Sequence, residues 1–292
     1  MKYINLKARA KINTALDVLG KREDGYHELR MIMQTVNLCD NIFIKRINED
    51  KIELKTNLSW LPTDERNLMY KAADLMRKRY NIREGVFMEL TKTIPVAAGL
   101  AGGSSDCAAV LIGMNRLFEL ALPQEEMLAI GKELGADVPY CIMRGTVLAE
   151  GIGEKLTRLH PFPNCFVLLC KPNINVSTAT VFKSLDLSNV SDHPDIEKMI
   201  ADIENGDLKA VADGMSNVLE SVTIKNYPIV ADIKQKMLDT GAIGSMMSGS
   251  GPTVFGFYEN YEKGLAALKE IRRAFRVKEV YLTTIFNEKS KN

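Results

Sequence analysis

Hydrophobic and polar residues alternate along the first part of the chain, and this pattern predicts strands. Between Tyr3 and Leu19 the even-numbered positions are mostly apolar or small, so that one face of a strand would be buried. Similar runs predict a strand over Met31–Leu38, a strand pair over Asn41–Leu54 and a strand over Val86–Thr91. The beginning of the chain is therefore predicted to be rich in strands.

Apolar residues recur at three- and four-residue steps in several later segments, and this spacing predicts helices. One helix carries Leu68, Ala72, Leu75 and Met76, and another carries the apolar residues between Cys107 and Phe118. Five more are predicted over 123–134, 195–203, 207–221, 228–239 and 261–275. Strands are predicted over 145–150, 165–170, 253–258 and 277–285. The mixture predicts an α+β fold.

Composition limits the class of protein. The 292 residues are 46% apolar and 26% charged, which is ordinary for globular proteins and is enough for two modest domains. The pattern of apolar and polar residues changes after His160-Pro161-Phe162-Pro163. We therefore predict two domains, at 1–158 and 159–292. A net charge of +1 gives no support to a nucleic-acid partner, and no apolar run could cross a bilayer. A cytoplasmic protein is expected.

Cysteine and histidine spacing argues against metal and hydrolase chemistry. The five cysteines form no C-x-x-C pair, and the three histidines form no H-E-x-x-H motif. No G-x-S-x-G elbow is present for a Ser-His-Asp hydrolase. Buried, reduced thiols are expected.

A glycine- and serine-rich loop directly precedes one of the predicted helices. Its residues are Pro95, Val96, Ala97, Ala98, Gly99, Leu100, Ala101, Gly102, Gly103, Ser104 and Ser105. Glycines let a backbone approach a ligand closely, and the first amides of a helix point outward without internal partners. Such a loop predicts an anion site, with phosphate as the usual occupant. A soft turn before a Ser-capped helix explains the same residues, so the loop alone leaves both interpretations open.

Two charged residues, Lys11 and Asp137, are candidates for a catalytic role because of the residues around them. Lys11 projects from the first predicted strand among small residues, although a solvated strand face also explains it. Asp137 lies between Ala136 and Val138, although an aspartate that caps a helix with Pro139 in its first turn is an equally ordinary arrangement. The residues by themselves do not choose between these interpretations.

Three segments, in order, resemble motifs of the galactokinase, homoserine kinase, mevalonate kinase and phosphomevalonate kinase superfamily. Pro95–Ser105 resembles the P-x-x-x-G-L-x-G-G-S-S phosphate loop, Lys7–Asn13 the N-terminal strand motif, and Ser248–Phe255 the C-terminal glycine-rich motif. The loop is not a Walker A motif, because no Gly-Lys-Ser/Thr follows it. It is not a dinucleotide fingerprint either, because its glycines are spaced G-x-x-G-G.

Three further segments resemble one member family, the 4-diphosphocytidyl-2-C-methyl-D-erythritol kinases. Lys21–Glu28 resembles its R-x-D-G-Y-H segment, Gly135–Pro139 its G-A-D-V-P signature and Ala149–Glu154 its A-x-G-x-G-E run. Arg9 and Ala98 depart from the family's usual Pro and Gly. The resemblance implies a two-domain small-molecule kinase fold, with an N-terminal ribosomal-protein-S5-like ATP-binding domain and a C-terminal ferredoxin-like domain.

The resemblance implies phosphorylation, with ATP, of the 2-hydroxyl of 4-diphosphocytidyl-2-C-methyl-D-erythritol, a step of the non-mevalonate route to isoprenoid precursors. Pro95–Ser105 would hold the ATP phosphates, and Ser104 or Ser105 would add a hydroxyl near Mg²⁺, with Ser105 the residue we name for the metal. Asp137 would be the general base. Lys11 would keep Asp137 ionised and offset charge on the transferring group.

Recognition of the acceptor is assigned by the same resemblance. Tyr26 would stack on the cytosine, His27 would read its edge, Phe182 would be a second stacking aromatic, and Asn13 would bind the erythritol part. Taken alone, a Tyr-His pair in a turn more often packs and hydrogen-bonds locally than binds a ligand, and Phe182 could instead be a core aromatic at the start of a helix. The secondary glycine-rich motif is Ser248, Gly249, Ser250 and Gly251.

Other functions fit the residues less well. A sibling kinase for homoserine, mevalonate or a sugar would not need the Gly25-Tyr26-His27 segment, and a non-catalytic nucleotide sensor would need neither Lys11 nor Asp137. A structural interaction module would leave the glycine loop unexplained. The expected partners are ATP and a small-molecule acceptor, without nucleic acid or membrane, in a monomer or homodimer.

Overall fold

A computed structural model of the chain describes residues 1–190 and 192–288. Residue 191 and residues 289–292, which end the second predicted domain, lie outside the described residues. The chain divides into two compact units, each assembled from separate segments. The first unit comprises Met1–Ala10, Cys39–Val96 and Ala101–Met143, and the second comprises Lys11–Leu38, Ala97–Leu100 and the described chain from Arg144 onward.

The first unit combines strands with four helices. Its strands are parts of β1 (Tyr3–Lys21) and β2 (His27–Ile47) together with β3 (Ile52–Thr56) and β4 (Gly85–Thr91), in the order β3-β4-β2-β1. Its helices are α1 (Leu68–Arg79), α2 (Gly102–Leu117), α3 (Gln124–Leu134) and α4 (Val138–Met143). The strands β3 and β4 are parallel and α1 connects them, because a parallel pair needs a long crossover.

Local chemistry places these helices. The side chain of Asn67 caps α1 by accepting a hydrogen bond from the amide of Met69 at 2.9 Å. Gly113 of α2 lies against the side chains of Ile44 and Leu6, where an added Cβ would come within 2.6 and 2.7 Å of them. Only glycine lets α2 approach the sheet this closely, and the approach buries the apolar face of the strands.

The second unit contains two sheets. One is formed by the remaining parts of β1 and β2 with β5 (Thr146–Gly151), β6 (Lys155–Arg158) and β8 (Ser216–Asn217). The other is antiparallel, in the order β11-β7-β10-β9, and consists of β7 (Phe166–Cys170), β9 (Gly244–Met247), β10 (Val254–Tyr258) and β11 (Val280–Thr284). Its helices are α5 (Thr178–Ser184), α6 (Ile196–Glu204), α7 (Leu208–Asp213), α8 (Glu220–Asn226), α9 (Ile229–Asp239) and α10 (Tyr261–Phe275).

The antiparallel sheet confirms the predicted ferredoxin-like part of the fold. The chain passes through β7, α9, β9, β10, α10 and β11, so a helix precedes the second strand and another precedes the fourth. The spatial order places the fourth strand beside the first and the third between the first and second. Helices and strands alternate in the manner of an α+β fold.

Several element predictions were wrong in detail. β2 is one continuous strand, and β4 rather than β3 lies beside its second part, so Asn41–Leu54 is not a strand pair. The helix predicted over 207–221 is two helices, α7 and α8, separated by Gly214 and the short strand β8. The strands β6 and β9 were missed, because each has only four residues.

The two compact units do not follow the predicted division of the chain into consecutive domains. β1 and β2 contribute residues to both compact units, so the units do not divide the chain at 158, and the boundary at 158/159 stays a prediction.

Burial raises the pKa of the Cys107, Cys165 and Cys170 thiols to about 12, which fits unreactive thiols. Within residues 1–190 and 192–288, no helix is both long and apolar enough to cross a membrane.

Candidate active site

In the second unit, Lys11 and Asn13 lie beside the middle of the glycine loop. The backbone amide of Lys11 donates to the carbonyl of Leu100 at 3.1 Å, and its ammonium donates to Asn13 Oδ1 at 2.7 Å. Lys11 is only 5% exposed, so the solvated strand face is the wrong explanation of this residue. A buried ammonium costs free energy unless polar groups surround it. This position therefore suits a cation that works on an anionic ligand.

The second glycine-rich motif meets the loop at Gly99. The Ser248 hydroxyl donates to the carbonyl of Gly99 at 3.0 Å, and both residues belong to the second unit. Gly99 has φ +74°, and an added Cβ would lie 2.3 Å from the Ser248 carbonyl oxygen. Gly249 follows beside Lys11 and Asn13, with room for ordinary contact only. Three segments that are far apart in sequence thus come together.

We expect Gly99→Ala to raise KM for ATP by at least about tenfold. The substitution forces an L-residue to positive φ, which costs roughly 1–2 kcal/mol, and it also drives a methyl group into Ser248. Steady-state kinetics with varied ATP measure the effect. Gly20→Ala is the matched control, because no atom lies within 4 Å of a Cβ at Gly20. Equal KM values for the two variants would contradict the close packing of Gly99.

Residues that hold the second glycine motif were missed in the sequence. Asn217 is buried, and its amide donates to the carbonyls of Met247 at 2.9 Å and Gly249 at 2.8 Å. Thr178 shares a hydrogen bond of 2.7 Å with the hydroxyl of Ser250. Asn217 fell inside a predicted helix, on the side opposite its apolar residues, where a polar side chain is ordinary, so the sequence carried no signal for it.

His27 and Phe182 form a ring pair in the second unit, and Tyr26 precedes His27 in the chain; these three residues are called the aromatic group below. The rings of His27 and Phe182 lie 5.2 Å apart between centroids with an interplanar angle of 32°, and Tyr26 is 61% exposed. Phe182 is half-buried and lies towards the C-terminal end of α5, so neither a core aromatic nor a position at the start of a helix describes it. The two neighbouring rings and the exposed phenol leave aromatic surface for a planar ligand.

The charge state of His27 follows from its surroundings. Burial, and secondarily the charge of Lys21, lowers the pKa of His27 from its ordinary 6.5. The imidazole is therefore neutral at pH 7. A neutral imidazole carries one donor and one acceptor nitrogen, and it can read a base edge that offers the complementary pair.

In the first unit, α2 begins at Gly102, within the last part of the loop, and has no side-chain cap. Its N-cap residue is Ala101, at φ +54°, and no side chain of the described residues caps the helix. Ser104 and Ser105 lie inside the helix, so the Ser-capped turn is the wrong explanation of the loop. The unbonded amides and the helix dipole instead favour an anion at this end.

A buried charge cluster, missed in the sequence, lies next to both ends of the loop in the first unit. The Lys92 ammonium bonds to the carboxylates of Asp40 and Asp106, with 2.8 Å to Asp106 Oδ2. Burial by itself would lower the pKa of Lys92, but the charges of Asp106 and Asp40 raise it. Burial raises the pKa of Asp106 well above its ordinary value, although Lys92 opposes the shift.

Asp137 immediately precedes α4 in the first unit and is half-buried. Its backbone carbonyl accepts a hydrogen bond from the amide of Cys141 at 3.1 Å, which places Asp137 at the N-cap position. Among the described residues, no hydrogen bond or ion pair occupies its carboxylate, so the carboxylate is available to a ligand. Lys11 belongs to the other unit, and its pairing with Asp137 stays a prediction.

The sequence of this chain matches known kinase families over most of its length. The family described as GHMP kinases N terminal domain matches residues 67–145, and the GHMP kinases C terminal family matches residues 199–277. The 4-diphosphocytidyl-2-C-methyl-D-erythritol kinase of Lachnospira eligens is 54% identical over 286 residues, covering 98% of this chain and 99% of that protein. The enzyme of the same name from Lachnoclostridium phytofermentans is 49% identical over 290 residues, covering 99% and 100%.

The chain belongs to the 4-diphosphocytidyl-2-C-methyl-D-erythritol kinase family.

Solved structures agree with this membership. A crystal structure of 4-(cytidine 5'-diphospho)-2C-methyl-D-erythritol kinase superposes with a TM-score of 0.84 at 28% identity, covering 98% of this chain and 100% of that one. A homoserine kinase from Cytophaga hutchinsonii reaches 0.74 at 21% identity, covering 98% and 95%, and shows the same fold. The predicted superfamily, member family and ATP-dependent kinase class are confirmed. The roles assigned to individual residues of this 4-diphosphocytidyl-2-C-methyl-D-erythritol kinase family member stay predictions.

Proposed function

We propose that the protein transfers the γ-phosphoryl group of ATP to the 2-hydroxyl of 4-diphosphocytidyl-2-C-methyl-D-erythritol. The products are ADP and the 2-phosphate, and the reaction is a step of the non-mevalonate route to isoprenoid precursors. The observation that carries this proposal is 54% identity with a kinase of that name over 98% of the chain. We place the reaction in the cytoplasm, where ATP is supplied, and a monomer or homodimer stays a prediction.

The transfer itself needs positioning and charge stabilisation rather than covalent participation of the protein. Amides of the loop Pro95–Ser105 hold the ATP phosphates at the start of α2. The acceptor oxygen forms a bond to the γ-phosphorus, the bond between that phosphorus and the β,γ-bridging oxygen breaks, and ADP leaves with the electron pair. The Asp137 carboxylate takes the hydroxyl proton, and the Lys11 ammonium offsets negative charge on the transferring group.

Acceptor selection is assigned to the aromatic group of the second unit. Tyr26 and Phe182 supply faces on which cytosine stacks, and neutral His27 pairs with the base edge. Asn13 binds the erythritol part. The ring contact between His27 and Phe182 supports this assignment, because it joins two segments that the resemblance had named separately.

Magnesium is expected to accompany ATP. Among the described residues, no group of three or more His, Cys, Asp or Glu side chains could hold a metal ion. We expect the Mg²⁺ to be held mainly by phosphate oxygens and water, as is usual for this ion beside nucleotides, with the Ser105 hydroxyl as the one protein ligand that we name. When bound, the ion would neutralise charge on the phosphates.

We expect Phe182→Leu to raise KM for the cytidine substrate by roughly 5- to 100-fold, since stacking on one base is worth about 1–3 kcal/mol. KM for ATP should stay within a factor of two, because the substitution does not touch the loop. Phe166→Leu is the matched control, because Phe166 is also half-buried and contacts one ring, that of Tyr261, at 5.9 Å. Equal acceptor KM values in both variants would remove Phe182 from the acceptor site.

The position of phosphorylation tests the proposed function. The protein is incubated with ATP and 4-diphosphocytidyl-2-C-methyl-D-erythritol, and the product is examined by ³¹P and ¹³C NMR. We expect ADP and one new phosphate monoester whose phosphorus couples to the methyl-bearing carbon. A phosphate on a primary or secondary hydroxyl, or ADP formation without an ester, would contradict the proposal.

A further inference from the structure

Asp40 holds the segment that leads into the phosphate loop. It lies in β2 with no exposed surface, and its Oδ1 accepts hydrogen bonds from the backbone amides of Thr93 at 2.5 Å and Ile94 at 2.8 Å. Thr93 and Ile94 are the two residues immediately before Pro95. One buried carboxylate therefore determines where the loop starts.

Lys92 connects this carboxylate to the other end of the loop. Its ammonium bonds to Asp40 and, at 2.8 Å, to Oδ2 of Asp106. Asp106 is the fifth residue of α2, directly after Ser105, and is 3% exposed. At Gly102, the first residue of α2, an added Cβ would lie 2.9 Å from the Lys92 nitrogen. The start of the helix is thus packed against Lys92 as well as bonded to it.

We propose that Asp40, Lys92 and Asp106 are positioning residues for ATP. They fix the segment before Pro95 and the first turns of α2 relative to each other, and so hold both ends of the phosphate loop at the spacing that the phosphates require. None of the three is assigned a contact with a substrate. The inference rests on the proposed role of Pro95–Ser105 in binding ATP.

A stabilising role alone would not need these charges. Buried ion pairs are often replaced by apolar residues of similar volume without loss of stability, because removing two charges from water costs as much as their attraction returns. Their bonds are directional, however, and Asp40 directs one oxygen to two backbone amides and the other to Lys92. An apolar cluster would fill the same space without fixing the loop.

Asp40→Asn is the decisive variant. The amide keeps the size of the carboxylate and one oxygen for the two backbone amides, but its Nδ2 then faces the Lys92 ammonium, donor against donor, so the segment before Pro95 is no longer tied through Lys92 to the start of α2. We expect the Kd for ATP, measured by calorimetry without acceptor, and KM for ATP to rise about 10- to 100-fold, since loss of one hydrogen bond from a loop amide to a charged phosphate has an effect of this size. KM for the acceptor should change less than twofold. Asp106→Asn, which keeps one oxygen for Lys92, should raise KM for ATP less than Asp40→Asn.

Met88→Ala controls for a general loss of stability. Met88 lies in β4 of the same unit with no exposed surface, and its strand partners are Ile44 and Leu54, neither of which belongs to the loop. The Met88→Ala variant should lower Tm at least as much as Asp40→Asn does, while Kd and KM for ATP stay near the wild-type values. If Asp40→Asn lowers Tm but binds ATP like the wild type, the three residues are structural only and the inference is wrong. A wild-type protein that binds no ATP would instead contradict the proposed function.

Discussion

Asp137→Asn is expected to lower kcat by about 10²–10⁴-fold, the contribution that a positioned general base makes. The acceptor hydroxyl is a weak acid, and its proton must leave as the bond to phosphorus forms. The amide keeps the shape of the carboxylate but cannot accept this proton. KM for ATP and for the acceptor should change less than fivefold, because Asp137 precedes α4 and is not part of the loop. Single-turnover phosphoryl transfer measures the chemical step directly.

Glu125→Gln is the control for this experiment. Glu125 is an exposed carboxylate in the first turn of α3, in the same unit as Asp137, so its replacement removes the same charge near another helix start. It should keep wild-type kcat. Near-wild-type kcat in Asp137→Asn would exclude the general-base role. If Asp137→Asn weakens binding of ATP or of the acceptor but leaves the rate of phosphoryl transfer unchanged, Asp137 is a substrate-binding residue and not the general base.

Lys11→Met is expected to lower kcat by about 10²–10³-fold, the loss that follows removal of one group that stabilises transition-state charge. Folding should be retained, because Met fills the space of the buried Lys11 stem, although Asn13 Oδ1 loses its donor at a cost of about 1–3 kcal/mol. The expected signature is therefore an inactive protein that is still folded at the assay temperature, with a Tm no more than modestly below that of the wild type. Thermal unfolding and steady-state kinetics on the same preparations measure both quantities.

Lys7→Met provides the comparison for Lys11. Lys7 lies on the same strand four residues earlier and is exposed, so its removal takes away an equal charge without altering a buried site. It should leave kcat within about twofold of wild type, as expected for a surface position. A Lys11→Met variant that keeps kcat, or that loses it only through unfolding, would contradict a role in charge stabilisation.

Much of the site could be predicted because its chemistry is local in sequence. A phosphate loop needs consecutive amides and a helix start, and these were visible in Pro95–Ser105 without any knowledge of the fold. The Gly25-Tyr26-His27 turn indicated the member family in the same way. Phe182 could be assigned only through the resemblance, because its contact with His27 depends on how α5 packs in the second unit.

Features that depend on tertiary pairing could not be predicted. Asp40 and Lys92 stand in ordinary strand patterns, and nothing in their spacing indicates that both meet Asp106. The burial of Lys11 depends on the loop carbonyl of Leu100 and on the second glycine motif, which is more than two hundred residues away. The strand β4 lies between β2 and β3 because a crossover helix returns the chain, and alternation in the sequence contains no information on that order.

The ratio of kcat/KM values for competing acceptors tests the central claim most directly. ADP release from ATP is measured with 4-diphosphocytidyl-2-C-methyl-D-erythritol, mevalonate, homoserine and galactose under the same conditions. We predict that the cytidine compound exceeds each of the others by at least about 10⁴-fold, the discrimination that a site built on hydrogen bonds to its substrate achieves. Comparable or faster ADP release with mevalonate, homoserine or galactose would contradict it.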